Sequence, residues 1–489
     1  MNIILIPIAI IFLIIGGLLL NTLRLQRKPD IVEEAPQVQV DKATVSEHLA
    51  QAIRHKTISS HDMVEDDHKT FLELHDWIRR TYPMVAEKLE KEVINDLSLL
   101  YTWRGSDPKL KAVLLNAHMD VVPAEEQTLK DWKFKPFDGV IQNGFVWGRG
   151  ALDMKCTLVG ILEAVEMLLQ AGFSPHRTIY LAFGHDEEIM GQQGTVRIVD
   201  HLKAKQVQLA AVLDEGGMIS LGSLEGIDEP VALIGNSEKG YLTMKLTAEG
   251  KPGHSSRPPR QTAIGMIARA IALMDDHPMP ARLDCFLPTL KNIGFMMPFG
   301  LQMVIANSWL FKKIMIKRLE KKPETNALLR TTHAATMVTG GIKDNVLPAS
   351  ASAAVNLRLL QGDSIDDVFS YFRKIINDPR IIMEIDKTAG GWEASEVSST
   401  DTPPYRSLEL VVRQIFNNVP VAPFVFLAAT DSRYYQPVCS NIYKFSPHIL
   451  TPEEQRGVHG VDERISQDSL VKMTAFYHRL IQVWGEAGF

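Results

Sequence analysis

Three apolar stretches of this 489-residue chain run straight into acids or a histidine. Residues 180–188 (YLAFGHDEE) pass from a strand-like segment into Asp186, Glu187 and Glu188. Residues 112–120 (AVLLNAHMD) end in His118 and Asp120, and residues 210–215 (AAVLDE) end in Asp214 and Glu215. Carboxylates beside a core are costly unless something positive receives them. In open α/β sheets, ligands bind just beyond the carboxyl ends of the strands. Three such ends can meet at one point, and their side chains suit a metal ion.

Two more segments join them. The stretch 148–155 (GRGALDMK) looks like a dinucleotide loop until the third glycine is sought, where Asp153 stands instead, so that motif is rejected. Asp153 either caps the helix that follows or shares its carboxylate between two metals. Far downstream, His459 lies in a glycine-flanked loop, RGVHG. Catalytic zinc takes N and O donors and keeps a position open for water. Two Zn2+ ions sharing Asp153, one completed by His118 and Asp214 and the other by Glu188 and His459, would have three protein ligands each. Asp120, two residues from His118, would accept the other ring N–H and fix the imidazole, as outer carboxylates do. Glu187 would stay free as general base, taking a proton from the water, which leaves a nucleophilic hydroxide on the metals, and handing it to a leaving amine.

These residues need elements to hold them. Strand-like segments at 97–103, 112–117, 178–183 and 209–213 alternate with helical ones at 155–171 and 194–202, the βαβ signature of a mostly parallel sheet. The pattern changes near Gly240. Segments 241–248, 262–274, 335–338, 352–359, 364–376 and 381–385 form a βαββαβ series that fits a ferredoxin-like sandwich. Residues 276–330 interrupt that series with a proline-rich, then basic, insertion. After Gly391 the α/β pattern resumes. The fold class expected is therefore α/β: a mixed, mostly parallel sheet flanked by helices, with an inserted ferredoxin-like α+β lid. The boundaries expected are a catalytic domain at 45–240 and 391–489, a lid at 241–390, and a linker at 24–44.

Residues 3–20 carry no charge and are almost entirely aliphatic, with Leu23 extending the run. A spanning helix needs roughly 20 apolar residues, and the flanks of a cleavable signal are missing. The expectation is a single-pass transmembrane anchor at 3–23, its membrane face undetermined. The net charge of −6 gives no basic field for nucleic acid. The 3 cysteines form no pairwise framework.

In combination and chain order, the H-x-D, G-R-G-A-x-D-x-K, G-H-D-E-E and late histidine motifs resemble the co-catalytic zinc hydrolases. That family includes aminoacylase, acetylornithine deacetylase, succinyl-diaminopimelate desuccinylase and carboxypeptidase S. Residues 184–188 (GHDEE) and 430–433 (TDSR) are most similar to the carboxypeptidase S branch, which also contains enzymes acting on N-fatty-acyl amino acids. The resemblance implies the ligand set above, Glu187 as base, Asp120 as orienter, and two zinc ions replaceable by Co2+ or Mn2+. It implies that His254, in GHSS, stabilises an oxyanion. It also implies that Asn345, Arg358 and Arg433 bind substrate, the arginines through a free carboxylate, and that a homodimer through the lid is possible. The function expected is cleavage of an amide next to a free carboxylate in a small peptide. The alternative is a hydrolase of N-acyl amino acids, fatty-acyl ones included. A metal-free binding or scaffold homologue is the reading from another class. A serine hydrolase is excluded by the lack of a G-x-S-x-G elbow.

Overall fold

The computed structural model describes residues 2–222 and 226–488, the side chains of residues 2–11 excepted. Its main layer is a 10-stranded sheet. At the centre, Ala112–His118 lies parallel to Ile179–Gly184 on one side and to Leu209–Asp214 on the other. All seven residues of Ala112–His118 and all six of Ile179–Gly184 are buried, as expected of strands covered on both faces. The helix Lys155–Gln170 covers one face together with Gln467–Gly485; Gly160 lets Met473 approach closely. Because the three strands are parallel, their carboxyl ends emerge side by side.

A 5-stranded antiparallel sheet forms the second layer. Its main path runs Thr332–Gly340, Ser350–Leu359, Gly240–Glu249, Ile381–Ile385. The helices Ala263–Asp276 and Ile365–Ile376 pack on the buried face of these strands through Met266, Ile267, Ala270, Val368 and Phe372. Two short stretches connect the layers, Glu238 to Tyr241 and Trp392 to Ser395. Residues 276–330 fold into short helices that pack against Phe424 and Val425 of the large sheet. Thr289 Oγ donates to the carbonyl of Pro423 at 2.6 Å.

The amino terminus corrects an expectation. Among the described residues no helix is long and apolar enough to cross a membrane, so the single-pass anchor at 3–23 is not borne out, nor is the localisation drawn from it. The side chains of residues 3–11 lie outside the described ones. The helix Asn2–Leu25 ends docked on the insertion. Asn21 donates to Asn307 at 3.1 Å, Gln26 donates to Gln302 at 2.7 Å, and Leu25 packs against Gly294. The stretch read as a tether is pinned as well: Val32 N donates to Asn418 Oδ1 at 2.7 Å, and Asn418 Nδ2 returns the bond to Val32 O at 3.0 Å.

Candidate metal centre

The strand ends do converge. His118 Nε2 lies 3.0 Å from Asp153 Oδ1 and 3.5 Å from Glu215 Oε1. The other oxygen of Asp153 lies 2.9 Å from His459 Nε2, which is 3.2 Å from Glu188 Oε2. Asp153 thus stands between two imidazoles, each with a further carboxylate beside it. Glu187 closes a second grouping with His118 and Glu215, ligand atoms all within 4.8 Å of one another.

Each side chain has a local reason for its place. Asp120 is fully buried. It accepts from Ser59 Oγ at 2.6 Å and from the backbone N–H groups of Glu187 and Glu188 at 3.2 and 3.1 Å. Its Oδ1 is 3.3 Å from His118 Nδ1. His118 Nδ1 is nearer still to the Asp120 main-chain carbonyl, at 2.9 Å, so one residue fixes both the histidine and the turn that carries the two glutamates. That turn is tight: Gly191 has φ +67, and a Cβ there would lie 2.1 Å from Asp431 Oδ1, so only glycine fits. Asp153 is held by Glu463, which accepts from the backbone N–H groups of Gly150, Leu152 and Asp153 at 2.8 to 3.1 Å and pairs with Arg149 at 2.6 Å. His459 sits at φ +56, a conformation a non-glycine residue seldom adopts.

The electrostatics are one-sided. Asp120, Asp153, Glu187, Glu188 and Glu215 face two imidazoles. Burial, with Asp153 adding to it, pushes the Glu215 carboxyl up to about 8. Burial also drives Glu187 well above the ordinary carboxylate range. For His118 burial opposes the charge, but Glu215, Asp120 and Asp153 outweigh it and hold the imidazole well above its usual value. Hydrogen bonds to Asp153 and Glu188 raise His459 to about 10. Glu188 Oε1 is buried without a partner among the described residues. Five carboxylates, that of Glu188 with an unpartnered oxygen, and two imidazoles form a donor set suited to hard or borderline divalent cations, so the residues fit the metals expected.

One candidate ligand lies elsewhere. Asp214 Oδ1 accepts from Asn116 Nδ2 at 2.9 Å, and Asn116 in turn accepts from Tyr435. Asp214 Oδ1 faces that network and its Oδ2 is buried with no partner among the described residues, while Glu215 is the acid of this pair beside His118, at 3.5 Å. Successive side chains at a strand end point to opposite sides, so only one of this adjacent pair can join the cluster. Glu463 was also missed, since no spacing motif marks it.

The lid residues divide in two. His254 and Val346 are paired across a two-stranded sheet, and Ser255 N donates to Asn345 O at 3.1 Å. His254 and Asn345 are therefore neighbours, and both are exposed. The bonds described for His254 are to Ser256 Oγ at 2.8 Å and from Ser256 N at 3.1 Å. Arg358 and Arg433 instead lie at the junction of the two layers. The Arg358 guanidinium is 4.9 Å above the Tyr241 ring, and that of Arg433 is 4.7 Å above Trp392. Arg433 also contacts the carbonyl of Met190, in the turn after Glu188.

Comparison with known proteins shows the family. Residues 114–483 match the model of peptidase family M20/M25/M40. The chain is 37% identical over 452 residues to a Xenopus tropicalis N-fatty-acyl-amino acid synthase/hydrolase PM20D1, covering 90% of this chain and 86% of that one. It is 36% identical over 491 residues to the probable carboxypeptidase S-like 2 of Dictyostelium discoideum, covering 98% and 94%. Among solved structures, the M20 family metallo-carboxypeptidase Sso-CP2 of Sulfolobus solfataricus superposes with a TM-score of 0.64 at 16% identity, covering 91% of this chain and 100% of that one. A family match over most of the length, with relatives above one third identity, places this metallohydrolase chain in peptidase family M20/M25/M40.

Proposed function

We propose that the chain hydrolyses the amide bond joining an acyl or peptidyl group to an amino acid with a free carboxylate, using two zinc ions. One ion would be held by His118, Asp153 and Glu215, the other by His459, Asp153 and Glu188. The observation that carries this is the Asp153 carboxylate, with one oxygen 3.0 Å from His118 and the other 2.9 Å from His459. Bound zinc would polarise the scissile carbonyl and acidify the attacking water. The remaining work belongs to the chain. Asp120 keeps His118 oriented and anchors the Glu187–Glu188 turn. Glu187, half-buried beside this cluster and not needed as a ligand, accepts the water proton on its carboxylate. It returns that proton to the leaving nitrogen, as one positioned group can do for both halves of a hydrolysis.

Arg433 and Arg358 serve as seats for the substrate carboxylate, since a guanidinium matches that group bidentately. His254 and Asn345 act from the lid on the oxyanion side. Their exposure suits them to meet a centre presented by a second copy of the chain.

The N-acyl amino acid reading draws support from the Xenopus relative, and the peptide reading from the Dictyostelium one. Phe295, Met296, Met297 and Phe299 of the insertion are apolar side chains of the kind an acyl tail would need. Met296 and Met297 pack with Phe424, which leaves Phe299 as its large exposed member. A panel of N-acyl amino acids of increasing chain length and of dipeptides, run with and without chelator, tests the proposal. Hydrolysis lost on chelation and restored by Zn2+ is expected; full activity in chelator would overturn it.

A further inference from the structure

We infer that Trp392 is a positioning residue that locks the two candidate carboxylate-binding arginines into one unit across the junction of the large sheet and the lid. The inference rests on the reading of Arg433 as a carboxylate seat.

The geometry is a stack. Gly391–Trp392 pairs antiparallel with the start of Gly240–Glu249, Trp392 opposite Tyr241. Their rings lie 4.7 Å apart and 18° from parallel. With one face of each ring against the other, the guanidinium of Arg433 at 4.7 Å covers Trp392 and that of Arg358 at 4.9 Å covers Tyr241. Register adds to this, since Arg358 is the cross-strand partner of Tyr241. Arg433 has a second aromatic neighbour, the Tyr434 ring at 4.3 Å, and Tyr434 OH donates to the Met190 carbonyl at 2.7 Å. Arg433 therefore reaches from the turn carrying Glu187 to an indole on the connection to the lid.

The aromatic faces, with bonds donated to the Thr430 carbonyl at 2.5 Å and the Tyr434 hydroxyl at 2.7 Å, fix the plane of the Arg433 guanidinium, and its five N–H donors leave others for a ligand. Cation–π contact strengthens as the partners lose water. Fixing the plane reduces the ordering cost of binding a carboxylate. Packing alone does not call for tryptophan here. Its Nε1–H is buried with no acceptor among the described residues, a cost that phenylalanine would avoid. The wide indole face toward Arg433 is what tryptophan adds. Trp392 lies outside the cation cluster, and no spacing motif pointed to it.

The test compares Arg433→Ala, Trp392→Leu and Trp392→Phe in the zinc-loaded enzyme. Each is assayed with the fastest-cleaved member of the N-acyl amino acid and dipeptide panel and with its C-terminal carboxamide. Zinc content and melting temperature are recorded in parallel. Trp392→Leu is expected to raise KM for the free carboxylate about tenfold, with kcat and the carboxamide kinetics nearly unchanged. Trp392→Phe, which keeps a ring face, should recover most of that loss. If Arg433→Ala removes the preference for the carboxylate and Trp392→Leu leaves it intact, the positioning role is overturned and the seat survives. If Arg433→Ala leaves the preference intact, the seat itself fails and the inference falls with it. Should Trp392→Leu not fold, Tyr241→Leu removes the next layer of the stack. A smaller rise in KM for the carboxylate alone is then expected, and equal rises for both substrates would count against the stack.

Discussion

Asp153 and His459 are far apart in the chain and meet at 2.9 Å. Neither is placed by its neighbours in sequence alone. Asp153 hangs on a loop whose backbone N–H groups are gathered by Glu463, four residues after His459. The segment that delivers the histidine therefore also delivers the clamp for the aspartate. Loss of either disturbs both halves of the proposed centre.

This makes Glu463 a stability residue with a functional readout. The pair with Arg149 is buried, at 0% and 3% exposure. Glu463→Ala would leave a guanidinium without its counter-charge and three N–H groups without an acceptor. The expected loss is roughly 3–5 kcal/mol in urea unfolding, with zinc content falling as well. A loss below about 1 kcal/mol would mean that water or another acid takes over the clamp.

Ligand identity can be settled at one strand end. Glu215→Gln should lower bound zinc toward one ion per chain and make the enzyme more sensitive to chelator. Asp214→Asn keeps a side chain of the same size facing Asn116 and should leave zinc content unchanged. The reverse pattern, measured by metal analysis after dialysis, would return the ligand role to Asp214.

That pair also shows where sequence reasoning stopped. An apolar run ending in acids gives the strand and its carboxyl end, because burial and charge change sharply there. The same logic made the βαβ alternation and the antiparallel lid series readable. Which of two adjacent acids faces the cluster depends on the last residue still in strand geometry, and spacing does not fix that. Glu463 carries no local signal at all, since its partners are more than 300 residues away in sequence. Hydropathy marked residues 3–23 as a span, but it says nothing of Asn21 and Gln26 docking on a distant insertion.

Glu187→Gln tests the base. The amide is nearly isosteric and cannot take the proton, so kcat should fall by about 10²–10⁴ while zinc stays bound. The measurement is turnover alongside metal content. Activity within a few-fold of wild type would remove Glu187 from proton transfer.

Lys239, at the same junction as Trp392, gives a pH signature away from the cation cluster. It donates to the carbonyls of Ala327 and Arg330 at 3.0 and 2.9 Å. Burial, reinforced by nearby Arg358, pushes its ammonium down to about 7. An unfolded lysine titrates near 10.4. Between those values the unfolded chain binds more protons, so stability rises with pH. Wild type should gain on Lys239→Met by up to about 1.4 kcal/mol per pH unit in this window. Unfolding at about pH 7 and about pH 10 checks it, and a constant difference between the two proteins would mean the lysine stays charged throughout.

His254 poses the question of which centre it serves. It lies exposed on the lid beside Asn345, and its described bonds go to Ser256. His254→Ala should lower kcat with zinc content unchanged, because the residue stands apart from the cluster of acids. If the histidine acts on a partner's centre, mixing His254→Ala with Glu187→Gln restores activity. A mixed pair then contains one centre with an intact Glu187, reached by an intact His254 from the other chain. If it acts within its own chain, every centre in the mixture lacks one residue or the other, and mixing restores nothing. Refolding the two variants together and assaying turnover against each alone distinguishes the cases. Recovery to roughly a quarter of wild type is the outcome expected for a two-fold dimer assembled at random.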